Sequence, residues 1–238
     1  MGNILIRRPL LAIGETAQVI TWQDVFDSIS AGTYASDFSL GDSVALSVGS
    51  EGTVNMQMVA FDTDILSDDT GYAHITFIAK EALKTNNQLG GSSARKWSTC
   101  NMRATFLRTT VWEKLPANVK EHIVEVKKYT RDYSGADTTL NTNAQTNDTI
   151  WIPSGREMGS SGGSYGETEG VTYSSFFTSA ADRIKCKYND LNTPVQYRLR
   201  SWGTSNSRSR CITNVGGFIN NIVISTASGS SVVIGFCM

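Results

Sequence analysis

Apolar positions along the chain switch between two periods, and the switches mark out its elements. Trp22, Val25, Phe26 and Ile29 recur at the spacing of a one-faced helix. Thr21 with Asp24 three positions on reads as a capping arrangement, so a short helix is predicted over about 22–30. Residues 43–48 and 54–61 are β-like runs separated by Gly49-Ser50-Glu51-Gly52, a hairpin signal. His74–Ala79 reads as a further strand. From about 95 to 126 the pattern turns helical: Trp97, Met102, Phe106 and Leu107 form one apolar face, and Pro116 opens a second helix through Val119, Ile123 and Val126.

Residues 131–149 are polar and turn-forming and are expected to be an exposed loop. A short strand is predicted at 150–153, a flexible glycine loop at 159–166, a short helix at 176–184 and a strand at 196–200. The tail alternates β-like runs with turns, at 210–215, 218–225 and 231–237. Residues 1–20 are an apolar arm without a helical cap, expected to pair with the body or with a partner. No period of 20–50 residues is visible, which disfavours a solenoid.

Composition narrows the function classes. The 238 residues carry net charge −1 and are 40% hydrophobic and 18% charged, with 21 Gly and 4 Pro. That suits a loop-rich, β-containing globular domain and excludes a globally basic nucleic-acid binder. The apolar runs are too short to span a bilayer, and the start is too short for a signal-peptide core. Cys100, Cys186, Cys211 and Cys237 form no CxxC pair, and with two histidines no metal site is expected. Cys211 and Cys237 read either as neighbours across a sheet or as buried free thiols.

No catalytic constellation emerges. His74 and His122 lie beside no GxSxG elbow and read as structural histidines. The acidic stretch Asp62, Asp64, Asp68 and Asp69 lacks EF-hand spacing and reads as a solvated hairpin end. The glycine loop lacks the Gly-Lys-Ser/Thr ending of a phosphate cradle. Lys127, Lys128 and Arg131, interleaved with Tyr129 and Tyr133, read as a solvated strand end. The expectation is therefore no enzyme activity and no cofactor.

The tail is compositionally unusual. From Arg200 to Met238 there is no Asp, Glu or Lys, and Arg200, Arg208 and Arg210 are the charged side chains. Ser, Asn, Gly, Arg and aromatics on a rigid frame resemble a paratope. The alternative is a Ser/Thr-rich sheet without a ligand.

Several segments together carry a resemblance: TWQDV and AGTYASDFSLGD (21–42), KWSTCNMRATFL (96–107), KLPANVKEHIVEVKK (114–128), IWIPSGREMG (150–159), RLRSW (198–202), RCITNVGGF (210–218) and IGFCM (234–238). In this the chain resembles an uncharacterised C-type-lectin-like domain family of phage tail and virion-surface proteins and of surface proteins of Gram-positive gut bacteria. The chain departs from that family's usual pattern at Trp202 and Arg210.

The resemblance implies an α+β, C-type-lectin-like fold over 21–238, with twisted antiparallel sheets, two to three helices and a ligand-binding face at 202–233. It also implies a phage virion-surface protein, a tail adhesin or fibre tip on the virion surface that binds a host-cell receptor, protein or polysaccharide. Trp202, Asn206, Arg208, Arg210, Asn214, Phe218, Asn220 and Asn221 are the expected contact residues. The absence of Lys, Glu, Gln, Met and Trp between Gly203 and Val233 is consistent with retroelement diversification of Asn codons. Residues 1–20 would attach the domain to other virion proteins or drive homo-oligomerisation, without nucleic acid or membrane insertion. The competing expectation is a capsid or tail decoration protein that binds no receptor.

Overall fold

The computed structural model describes residues 19–91, 96–133, 140–160, 169–203, 205, 207–227 and 230–238. The predicted arm therefore lies almost wholly outside the described residues, as do most of the glycine loop and Asn206. Within them the chain is α+β.

Helix α1 (Trp22–Ala31) starts on the predicted signal. The Thr21 side chain accepts from the Asp24 amide while the Asp24 carboxylate takes the Thr21 amide, and Gly32 ends the helix in the left-handed region at φ 69°. Its apolar face covers the main sheet. Trp22 Nε1 donates to Ala45 O at 2.8 Å, and its ring centre lies 5.5 Å from that of Phe77 and 6.0 Å from that of Phe236.

That sheet is antiparallel, in the order β1 (Ser43–Ser47), β2 (Thr53–Phe61), β3 (Ile75–Ala79), then the C-terminal strand β11 (Gly235–Cys237). The 43–61 hairpin and the 74–79 strand stand as predicted. β11 closes the sheet from the far end of the chain: Phe236 faces Phe77 in register and all three of its residues are buried.

The middle of the chain departs from expectation. Met102–Val111 is helical but wide, of the π type, with Met102, Phe106 and Leu107 buried as predicted. The helix after Pro116 is a single turn, Ala117–Lys120, and Val126 belongs instead to a strand. The stretch assigned to an exposed loop is a hairpin, β4 (Val126–Tyr133) with β5 (Leu140–Asp148). Val126, Lys128, Thr130 and Asp132 are buried while the residues between them are half-exposed, so β4 has the period of a strand, but most of its buried positions are polar. The predicted 176–184 helix reduces to a 3-10 turn, Ala181–Arg183, and the 150–153 strand to an isolated bridge between Trp151 and Gly235.

A short hairpin, β6 (Lys185–Lys187) with β7 (Asp190–Val195), precedes a three-stranded sheet of β8 (Tyr197–Trp202), β9 (Arg208–Ile212) and β10 (Phe218–Val223), with β9 in the centre. Cys211 in β9 and Cys237 in β11 are buried free thiols on different sheets. His122 is a structural histidine: its ring stacks on Phe26 at 3.7 Å and its Nδ1 meets Asn118 O at 2.8 Å.

Lys185 is 1% exposed and its Nζ has no hydrogen-bond partner. Burial pulls this amine down to about 7, against the opposing charge of Glu81. The unfolded chain, with its ordinary lysine, then binds more protons than the fold between that value and 10.5, so this group makes stability rise with pH across the window. Lys185→Met is expected to raise the denaturation midpoint at pH 7 and to flatten the rise between pH 7 and 10. Urea unfolding at both pH values checks it; an unchanged pH dependence would contradict it.

Candidate functional site

Two regions draw attention: a buried cluster of ionised groups and the face of the C-terminal sheet. In the cluster, Lys128 from β4 is 1% exposed. Its Nζ donates to Asp64 Oδ1 at 2.5 Å, Glu157 Oε1 at 3.0 Å and the Tyr173 hydroxyl at 3.0 Å, and lies 3.7 Å from the centre of the Trp151 ring. The expected solvated strand end is thus corrected at this residue. Its neighbour Lys127, with a side chain only 11% exposed, pairs with the exposed Asp69.

Arg200 from β8 completes the cluster with a two-pronged bond to Glu157, Nη1 to Oε2 at 2.6 Å and Nη2 to Oε1 at 2.8 Å. Its Nε donates to Thr130 Oγ1 at 3.1 Å. Asp64 also accepts from Thr76 Oγ1 at 2.6 Å and from the Tyr173 hydroxyl at 2.9 Å. Two cations and two carboxylates therefore balance inside the protein. Burial alone would raise the Glu157 carboxyl, but the Arg200 and Lys128 charges overcome it and hold the group down at about 2. For Lys128, burial pulls the amine down, and Asp64 and Glu157 more than restore it.

Two further buried carboxylates brace the same strands. The Ser201 hydroxyl donates to Glu169, which also takes the Arg131 amide at 3.0 Å. Asp148 takes Arg103 Nε at 2.5 Å and Trp97 Nε1 at 3.0 Å. These partners make the polar side chains of β4 and β5 buriable.

The four charged side chains of the cluster are at most 1% exposed. A cavity of about 230 Å³ lies nearby, between the end of β2 and Thr172–Ser175, with Tyr173 in its wall. The Tyr173 hydroxyl is spent on Asp64 and Lys128, and burial beside the Asp64 and Glu157 carboxylates pushes its ionisation far up. Tyr173 is the one ionisable side chain lining that cavity, so it holds no acid–base pair. Among the described residues no group of three or more His, Cys, Asp or Glu side chains is placed to hold a metal ion, and no helix is long and apolar enough to cross a membrane.

The sequence-predicted contact residues divide. Trp202 is 1% exposed and Arg210 6% exposed, which corrects both as outward contacts. β8 is buried on both faces, so Trp202 is a core residue; its indole NH reaches Asp132 at 3.4 Å. Arg210 packs between Gly155, where an added Cβ would lie 2.7 Å from its Nη1, and the Phe218 ring, 4.5 Å away. Arg208, Phe218 and Asn220 are half-exposed, and Asn214 is exposed beside Val215, which is 69% exposed. Asn206 and the Asn221 side chain lie outside what is described. The residues brought together at the surface are thus the turn Thr213–Gly217 and the near end of β10. Sequence reasoning missed Arg183: its Nε donates to Gly216 O at 2.9 Å and its guanidinium lies 5.0 Å from the Phe218 ring centre. It sits far upstream, in a segment read as a helix, and no local pattern ties it to the tail.

Glu157→Gln removes a charge from between two buried cations. It is expected to cost about 3–5 kcal/mol and to shrink the acid-induced loss of stability between about pH 4.5 and 2, where the unfolded chain takes up a proton that the folded carboxyl does not. Denaturant melts as a function of pH would show this; a variant as stable as the parent would contradict it.

No curated protein and no solved structure matches the chain. Residues 74–234 match a family described as "Domain of unknown function (DUF6273)". The matched span omits α1, β1, β2, Asp64 and β11, yet these complete the main sheet and the ion cluster. A fragment of residues 74–234 is therefore expected not to fold alone, whereas 19–238 should give a cooperative melt by circular dichroism; a cooperative melt of the shorter fragment would contradict this. With the match covering more than half of its length, the chain belongs to the DUF6273 family.

Proposed function

We propose that the chain is a recognition domain of a phage virion-surface protein, a tail adhesin or fibre tip, whose C-terminal sheet contacts a host-cell receptor. The observation that carries the reading is the make-up of the surface between Gly203 and Val233. No Lys, Asp or Glu occurs there, and among the described residues the exposed positions are Ser207, Asn214, Val215 and Ser225–Ala227. An ordinary solvent-facing sheet edge carries Lys and Glu. Small polar and aliphatic groups on a pinned frame suit a surface that sheds its water against a partner.

Binding is carried by the turn Thr213–Gly217 with Arg208, Phe218 and Asn220, and Trp202 and Arg210 hold that surface from beneath. Weak single contacts are amplified by many copies on one particle. The C-type-lectin-like form of the α+β fold, retroelement diversification of Asn codons, homo-oligomerisation and attachment through residues 1–20 belong to the same reading.

A second reading, a decoration protein that stabilises the particle without recognising a host, draws support from the burial of Trp202 and Arg210, which leaves a smaller outward face. The two differ in adsorption. Purified protein is expected to bind intact cells of the bacterium that hosts the gene, and a variant with Arg208→Ala and Asn214→Ala should bind at least about tenfold less, with its thermal midpoint kept. Undiminished binding by the variant would contradict the face assignment. No binding by the parent, with loss of the gene weakening the particle at unchanged adsorption, would favour decoration.

A further inference from the structure

Arg183 is held from two sides. Its Nε is committed to Gly216 O at 2.9 Å, and the guanidinium carbon lies 5.0 Å from the centre of the Phe218 ring. Gly216 fixes that brace: its φ is +78°, and a Cβ there would come within 1.8 Å of Ala180 O. The turns Ala180–Arg183 and Thr213–Gly217 are therefore locked against each other, with Arg183 at the seam and Asn214 and Val215 at the adjoining tip.

The remaining fork is unspent. Nη1 and Nη2 of Arg183 find no acceptor among the described residues, and the side chain is only partly buried. The neighbouring carboxylate, Asp182, is occupied by the amides and hydroxyls of Thr178 and Ser179, at 2.7 to 3.0 Å. A planar guanidinium fixed through Nε loses little freedom when its other two nitrogens engage a carboxylate.

We propose that Arg183, with Asn214 and Val215 beside it, is a contact point for an Asp or Glu side chain of a protein partner. Two features favour a protein over an acidic sugar. The Phe218 ring is already flanked by Arg183 and Arg210, which denies a sugar ring its usual aromatic platform. Arginine is enriched at the contacts between proteins and among the residues that carry their binding energy. The proposal rests on the recognition-face reading and names the chemistry of its partner.

The test uses poly-L-glutamate and polygalacturonate as probes on the full chain, by calorimetry or fluorescence anisotropy. Poly-L-glutamate is expected to bind, more weakly as salt is added. Arg183→Ala and Arg183→Lys should each weaken it about tenfold, since lysine keeps the charge but loses the fork and the Nε brace. Val215→Glu alters an exposed side chain and leaves Arg183 in place, so it tests the site even where an Arg183 variant folds poorly; it too should weaken binding about tenfold. No binding of poly-L-glutamate, equal binding by Val215→Glu, or polygalacturonate binding as tightly with the same losses would each overturn the proposal. Adsorption to host cells that persists in Arg183→Ala would sink this contact point and leave the recognition-face reading standing. Arg183-dependent poly-L-glutamate binding without cell adsorption would do the reverse.

Discussion

The structure depends on the mutual neutralisation of Lys128, Glu157, Arg200 and Asp64 in the buried interior. Moving such ions out of water costs several kcal/mol each. The cost is offset only while every partner stays within hydrogen-bond distance, as the 2.5 to 3.0 Å contacts here allow. The four groups come from the segment after β2, from β4, from the loop after β5 and from β8. Any displacement of one of these segments strands a charge. A cluster of this kind contributes less to net stability than to uniqueness: it selects one arrangement of segments among those that hydrophobic burial alone would tolerate.

That constraint explains how a chain with modest regular structure presents a fixed face. β8 lies between the ion cluster on one side and β9 on the other, with Arg198 donating to Ser209 and to the carbonyls of Val223 and Thr226. β9 then supports β10 and the turn Thr213–Gly217. Arg198, Arg200 and Arg210 thus tie segments together from inside. The surface proposed for recognition is backed by fasteners that are ionic.

Much of the scaffold was legible in the sequence. Helix α1, the 43–61 hairpin and β11 show because their buried positions are apolar and repeat at the period of the element. β4 and β5 were not legible, because the same alternation is written in Lys128, Thr130, Asp132, Thr146 and Asp148. A polar residue reads as exposed unless its partner is known, and those partners, Asp64, Trp97, Arg103 and Glu157, come from distant parts of the chain. The candidate face failed at Trp202 and Arg210 for the same reason: a Ser-rich tail without Asp, Glu or Lys looks alike whether its large side chains point out or in. Arg183 escaped notice because its role is created by Gly216, whose contact with Ala180 exists only in three dimensions.

β8 and β4 form an immobile frame, and the turn Thr213–Gly217 is the part that it displays. Amide hydrogen exchange on the full chain tests this most directly. The amides of Lys128, Arg198 and Arg200 should exchange only through global unfolding, and those of Asn214 and Val215 orders of magnitude faster. Exchange of the β8 amides at the rate of the turn would contradict the account.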